Sequence, residues 1–239
     1  MLKIISFEIS YRFRRPATYI YFAILFLLSF LFVTTDAISL GGSTGNVFKN
    51  SPYTITQVIS ALMLFGTMII SAVMGVPVYR DFEYNFHEIM FSTPVKKLEY
   101  LGGRFVGSYI TALFIFSGII IGMLLGFIMP WVDKEQIGPF MLSAFLVPTL
   151  QFLLPNLFLL GAIFFSLGSL LRNQLVIFVQ GIIFFILYLI LDSASGDAES
   201  APILSLLDPF GLAPAFYSTR YWTPAEKNIL TIQNTRRPI

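Results

Sequence analysis

Cysteine is absent from the 239-residue chain, which excludes disulfides, thiol catalysis and Cys-ligated metals. Charge is scarce as well. Asp, Glu, Lys and Arg make up 12% of the residues, against roughly 25% in a soluble domain. Five long apolar runs, at 17–33, 53–79, 105–130, 140–171 and 175–191, hold no Asp, Glu, Lys, Arg or His. Acids and bases inside a membrane mark proton relays and ion-coupled carriers, so a proton-driven carrier is disfavoured. No G-x-x-x-x-G-K-[ST] run is present to cradle a nucleotide phosphate, and no H-E-x-x-H to bind zinc. The single histidine, His87, stands beside Glu88 with no second histidine to complete a metal site. No nucleophile elbow, dinucleotide fingerprint or basic–aromatic pattern for nucleic acid occurs. The residues therefore predict neither an enzyme, nor a metal or cofactor site, nor a nucleic-acid partner.

What the chain does have is apolar length. It is 56% hydrophobic, with 26 phenylalanines and a mean hydropathy of +0.79. About 17–25 apolar residues cross a bilayer as a helix. The expected fold class is therefore an all-α integral membrane protein, its five predicted transmembrane helices matching the five runs. Residues 1–191 form the transmembrane domain and 192–239 an extramembrane tail. The basic N-terminus precedes a run too long for a cleavable signal peptide, and no small-residue cleavage site follows it closely. Pro77 is expected to bend the second span near its end. Pro148 and Pro155 interrupt 140–171, which reads as one broken span. In the third span, Gly118, Gly122 and Gly126 recur every fourth residue and so share one helix face. That pattern predicts a packing seam, within a protomer or between two.

Charge gathers in two places. In the leader MLKIISFEISYRFRRP, Leu2, Ile5, Ile9 and Phe13 share a helical face while Lys3, Arg12, Arg14 and Arg15 lie elsewhere. This suits a membrane-surface helix on anionic lipid, or a basic leader that only sets orientation. Glu8 is the lone acid there, and the sequence assigns it no role. The second place is Arg80–Arg104, RDFEYNFHEIMFSTPVKKLEYLGGR, with four of the fifteen basic residues and four of the thirteen acids. Phe82, Phe86, Ile89 and Met90 fall on one helical side, and Asp81, Asn85 and Glu88 on another. Thr93 suits an N-cap and Pro94 the first helical position. The stretch reads as two short helices with a corner, or as a solvated loop. The leader, this stretch and Arg172 carry nine basic residues, against Lys49 and Lys134 in the alternate loops. The positive-inside rule then places the N-terminus and the Arg80–Arg104 stretch in the cytoplasm.

FEISYRFRRPATYIYF at 7–22, RDFEYNFHEIMFSTPVKKLEYLGGRF at 80–105 and LLDPFG at 206–211, in this order of spans and loops, resemble type-2 ABC exporter permeases. The stretch through RYWTPAEKN at 220–228 is most similar to the permease portion of Bacteroidota proteins that fuse a permease to a zinc aminopeptidase-like domain. The resemblance covers nearly the whole chain and rests more on layout than on invariant residues. It implies a permease subunit in a bacterial inner membrane, with ATP bound and hydrolysed by a separate ATP-binding subunit. That subunit would dock on the cytosolic segment at Glu83, His87, Glu88, Pro94, Lys96 and Lys97. It further implies a homodimer or a pairing with a second permease half, in contact with membrane lipid. Two departures stand. The family's acid followed by Gly-Thr is here Glu83 followed by Asn85-Phe86. Its sixth span is not among the runs, so a fragment or shortened relative is expected. The competing class is a membrane anchor or scaffold for a partner or fused domain, which would tolerate a neutral linker in place of Arg80–Arg104.

Overall fold

The computed structural model describes residues 1–35, 46–85, 87, 88, 92, 95–171, 173–194 and 208–232, with side chains left out at 191–194. Among them there are helices and no strand. The chain opens with α1 (Leu2–Phe13) and α2 (Pro16–Thr34). Pro16 starts α2 because its missing N–H is one that no helix start can use. The corner before it is tied down by Thr18, whose hydroxyl donates to Arg12 O at 2.7 Å, and by Tyr19, which donates to Phe13 O at 2.9 Å.

Next come α3 (Pro52–Phe65) and α4 (Thr67–Glu83), bent by 52° at Gly66. The bend expected at Pro77 is thus displaced: Pro77 sits inside α4, and the break falls at glycine, the residue of lowest helix propensity after proline. Ser51 caps α3 by accepting from Thr54 N at 3.2 Å. The next long helix among the described residues, α5, runs from Lys97 to Ile128. Its 32 residues span about 48 Å at 1.5 Å per residue. That exceeds a hydrocarbon core of about 30 Å, so its charged first turns extend past an apolar slab.

A single 3-10 turn at Lys134–Gln136 leads to α6 (Leu142–Pro148), a π turn at Thr149–Leu153, and α7 (Leu154–Leu171). Pro148 cannot donate to the preceding turn, and the π turn directly after it absorbs the mismatch. Then follow α8 (Gln174–Ala194), α9 (Leu212–Thr219) and α10 (Pro224–Ile229). Gly211, at φ 83°, opens α9, a conformation that glycine adopts without strain. Thr223 and Glu226 form a reciprocal capping box on α10.

By length and composition, α2, α5 and the continuous Leu142–Leu171 stretch can each cross a membrane, and the bent α3–α4 pair makes a fourth. In α8 the apolar part is the shorter Gln174–Ile190. The structure therefore supports a membrane protein of three to four crossings, where the apolar runs count five.

The chain divides into two compact units. One comprises Met1–Ala23, Phe65–Ser117 and Leu157–Leu187. Here α4, α7 and α8 meet along small residues. A Cβ on Gly168 would strike the Gly75 backbone, and one on Gly181 would come within 3.1 Å of Met68 Cα. Ser71 donates across this seam to Ile177 O. The other unit comprises Ile24–Leu64, Gly118–Asn156 and Tyr188–Ile239. Within it Gly122 and Gly126 lie against α2. A Cβ on Gly122 would strike Phe26 O and Ser29 Oγ, and one on Gly126 would lie 2.9 Å from Val33. Ser29 donates to Gly118 O at 3.5 Å. At one end of this unit the loops join. Asn50 grips Gly138 through both its N–H (2.8 Å) and its carbonyl (2.7 Å). Asn228 accepts from Phe48 N at 2.8 Å and donates to Asn46 O at 2.9 Å.

Candidate functional site: a buried ionic cluster

The first unit holds the most unusual chemistry in the molecule. Glu8 of α1 is fully buried. It reaches that depth because α5 presents glycine beneath it: a Cβ on Gly107 would sit 2.7 Å from Glu8 Cβ, and one on Gly103 would sit 2.9 Å from Ile4. The two glycines lie four residues apart, one turn of α5, so they form a groove for α1. Ile4 and Glu8 thus face α5, while Leu2 and Phe7 are exposed. This face differs from the Leu2–Ile5–Ile9 stripe read from the sequence, because packing against glycine rather than apolar content decided which side turned inward.

Three guanidiniums converge on the Glu8 carboxylate. Arg12 Nε donates to Oε1 at 2.8 Å, and Arg80 Nη2 and Arg104 Nη1 both donate to Oε2, the former at 2.9 Å. Arg104 then spans to a second acid, donating from Nη2 to both oxygens of Asp81 at 2.8 and 2.6 Å. Tyr100 Oη donates to Asp81 Oδ2 at 2.6 Å. Arg12 completes its fork on Val73 O at 2.6 Å and Ser108 Oγ at 3.4 Å. Arg80, Asp81, Tyr100 and Arg104 are all buried. Burial alone pushes the Glu8 carboxyl up, but the charges of Arg12, Arg80 and Arg104 outweigh it and hold the group below the usual carboxylate range. Burial is also the leading influence on Arg12 and pulls its guanidinium down from its ordinary value, against the pull of Glu8. Arg12 remains charged at neutral pH, because a guanidinium titrates far above it.

The cluster joins the end of α4 to the start of α5, and the segment between them bears the charges read as docking residues. Glu83 closes α4 and is exposed, as are Glu88, Lys96 and Lys97. His87 stacks on Phe82 with ring centroids 4.5 Å apart. Asn85, at φ 55°, turns the chain, a conformation in which asparagine is one of the favoured residues. Phe86, Ile89, Met90, Thr93 and Pro94 lie outside the described residues. The helix expected to start near Thr93 and Pro94 has its described start at Lys97 as α5. Among the surface-helix residues, Arg14 and Arg15 are exposed, whereas Arg12 turns into the cluster.

Sequence reasoning left Glu8 without a role. Its signals were present: an acid four residues before Arg12, and glycines at 103 and 107. The first is an ordinary i,i+4 pair, and only the approach of α4 and α5 turns it into a hub. Gln180 was also missed. It is buried in apolar α8, and neither amide atom has a partner among the described residues.

No family model, curated protein or solved structure matches the chain.

Proposed function

We propose that this chain is the membrane-spanning permease subunit of an ATP-driven ABC exporter, coupled to a separate ATP-binding subunit through residues 83–97. The observation that carries this reading is the clamp at both ends of that segment. Glu83, Glu88, Lys96 and Lys97 are presented to solvent. Just inside them, Asp81 and Arg104 form a buried bidentate pair anchored to Glu8 of α1. A load applied to the exposed charges would pass to α4, α5 and α1 together rather than dissipate in a loop. The permease binds no ATP in this reading. It works as a homodimer or beside a second permease half.

Chain parity supports five crossings for this permease. Residues 46–50, 138 and 228 are hydrogen-bonded together, so the loops after α2 and α5 and the stretch after α8 share one membrane side. With α2, α3–α4, α5 and α6–α7 as crossings, a fifth crossing by α8 agrees with that arrangement. The density of Lys and Arg puts the other side, with α1 and the 83–97 segment, in the cytoplasm of a bacterial inner membrane.

The test is co-purification from the native membrane in mild detergent, with mass spectrometry of what is recovered. An ATP-binding subunit is expected with the wild type and is lost from Glu83→Lys/Glu88→Lys, while membrane insertion is unchanged. Association that survives the double reversal refutes docking here. A chain that keeps its function with a neutral linker at 84–96 is an anchor or scaffold instead.

A further inference from the structure

The cluster carries a charge imbalance that points outward. Its buried acids, Glu8 and Asp81, face Arg12, Arg80 and Arg104, and a fourth cation lies at the rim. Arg15 stacks over the Tyr11 ring, its guanidinium carbon 4.4 Å from the centroid, and donates to the Tyr11 hydroxyl. Arg80 lies 3.9 Å from the centroid of the same ring. Two guanidiniums therefore share one tyrosine. Neither is neutralised in full. Arg15 has no carboxylate partner among the described residues. Arg80 uses Nη2 on a carboxylate that two other arginines also claim, and its Nε and Nη1 have no acceptor among the described residues. Both guanidiniums thus lie within reach of one ring, and an anion beside that ring is attracted to each.

We infer that the Tyr11–Arg15–Arg80 rim binds the phosphate of an anionic phospholipid of the inner leaflet. A phosphodiester offers one negative charge and two free oxygens, enough to accept from both guanidiniums in charge-assisted bonds. The position selects a lipid over a free ion. Arg15 directly precedes Pro16, where apolar α2 begins, and Tyr19 and Ile20 are exposed on its first turn. A phosphate at Arg15 is thus placed at headgroup level, with its acyl chains beside the start of a span. The inference needs only that α2 crosses the membrane with its start on the cytoplasmic side. It stands whether or not the chain is a permease.

The test is native mass spectrometry of the purified full chain, released from detergent micelles that hold phosphatidylglycerol and an excess of phosphatidylcholine. The wild type is expected to retain one phosphatidylglycerol. Arg15→Gln weakens retention about fivefold, the effect of one basic side chain near a lipid surface, and Tyr11→Leu weakens it as well. Arg14→Gln, exposed but off the ring, weakens retention clearly less than Arg15→Gln. All variants keep wild-type elution on size exclusion. Equal losses from Arg14→Gln and Arg15→Gln would mean diffuse attraction and overturn the site. So would retention of phosphatidylcholine in equal measure, or displacement of the lipid by millimolar inorganic phosphate.

Discussion

Removing the Glu8 carboxylate without changing its size is the sharpest perturbation available. Glu8→Gln keeps the shape in the α5 groove and deletes the negative charge that Arg12, Arg80 and Arg104 share. Two of those cations lose their only carboxylate among the described residues, and Arg104 keeps Asp81. Breaking a buried ion pair from one side costs about 3–5 kcal/mol, since the partner charge stays buried and unpaired. At about 2–4 °C per kcal/mol for a chain of this size, the apparent melting point should fall by roughly 6–20 °C. The assay is thermal unfolding in detergent, read by loss of the monodisperse peak. The sign with pH follows from the lowered carboxyl. A group depressed in the fold contributes fully above its unfolded value of about 4.3, and loses that contribution as pH falls through the lower folded value. The wild type should therefore lose part of its margin over Glu8→Gln in strong acid. A second change, Arg80→Gln, should recover part of the loss by removing an orphaned cation, so the double-variant cycle should not be additive. A cost below about 1 kcal/mol, typical of a surface pair, or strict additivity, would refute the cluster as a structural hub.

Other outcomes follow from the same geometry. Gly122→Ala, whose new methyl would strike the α2 backbone at Phe26, should cost about 1–3 kcal/mol; Gly118→Ala, where no such close neighbour lies among the described residues, should cost less in the same melt. Gln180→Met replaces an amide with no partner among the described residues, so stability should hold or rise, since the desolvation penalty of about 1–3 kcal/mol is relieved; a clear loss would show that the amide has a partner. Asp208 accepts from Phe210 N and Ala213 N through separate oxygens at 2.7 Å each. Asp208→Asn keeps one acceptor and should cost about 1 kcal/mol, the scale of a helix cap, with limited proteolysis of 208–232 as a second readout. On the proposed docking, charge reversal at Glu83 and Glu88 should abolish recovery of an ATP-binding subunit and leave the melting point unchanged, because both side chains are exposed.

The sequence by itself determined what solvent the helices live in. Scarce charge and long apolar runs are local properties, and burial in lipid or protein is the one way such runs escape water, so the helical membrane class was legible from 17–33, 105–130 and 140–171 alone. The spacing of Gly118, Gly122 and Gly126 likewise set three glycines on one face, because four residues bring side chains to one side of any helix. The tertiary structure decided which partner each face meets. It set Gly122 and Gly126 against α2 within the same chain, moved the bend from Pro77 to Gly66, and turned Glu8 inward to the groove at Gly103 and Gly107. Charges seventy-two and ninety-six residues apart in the chain were brought onto one carboxylate. No window of sequence contains that meeting, since the energy that selects it exists only when three helices have closed and water has been driven from between them.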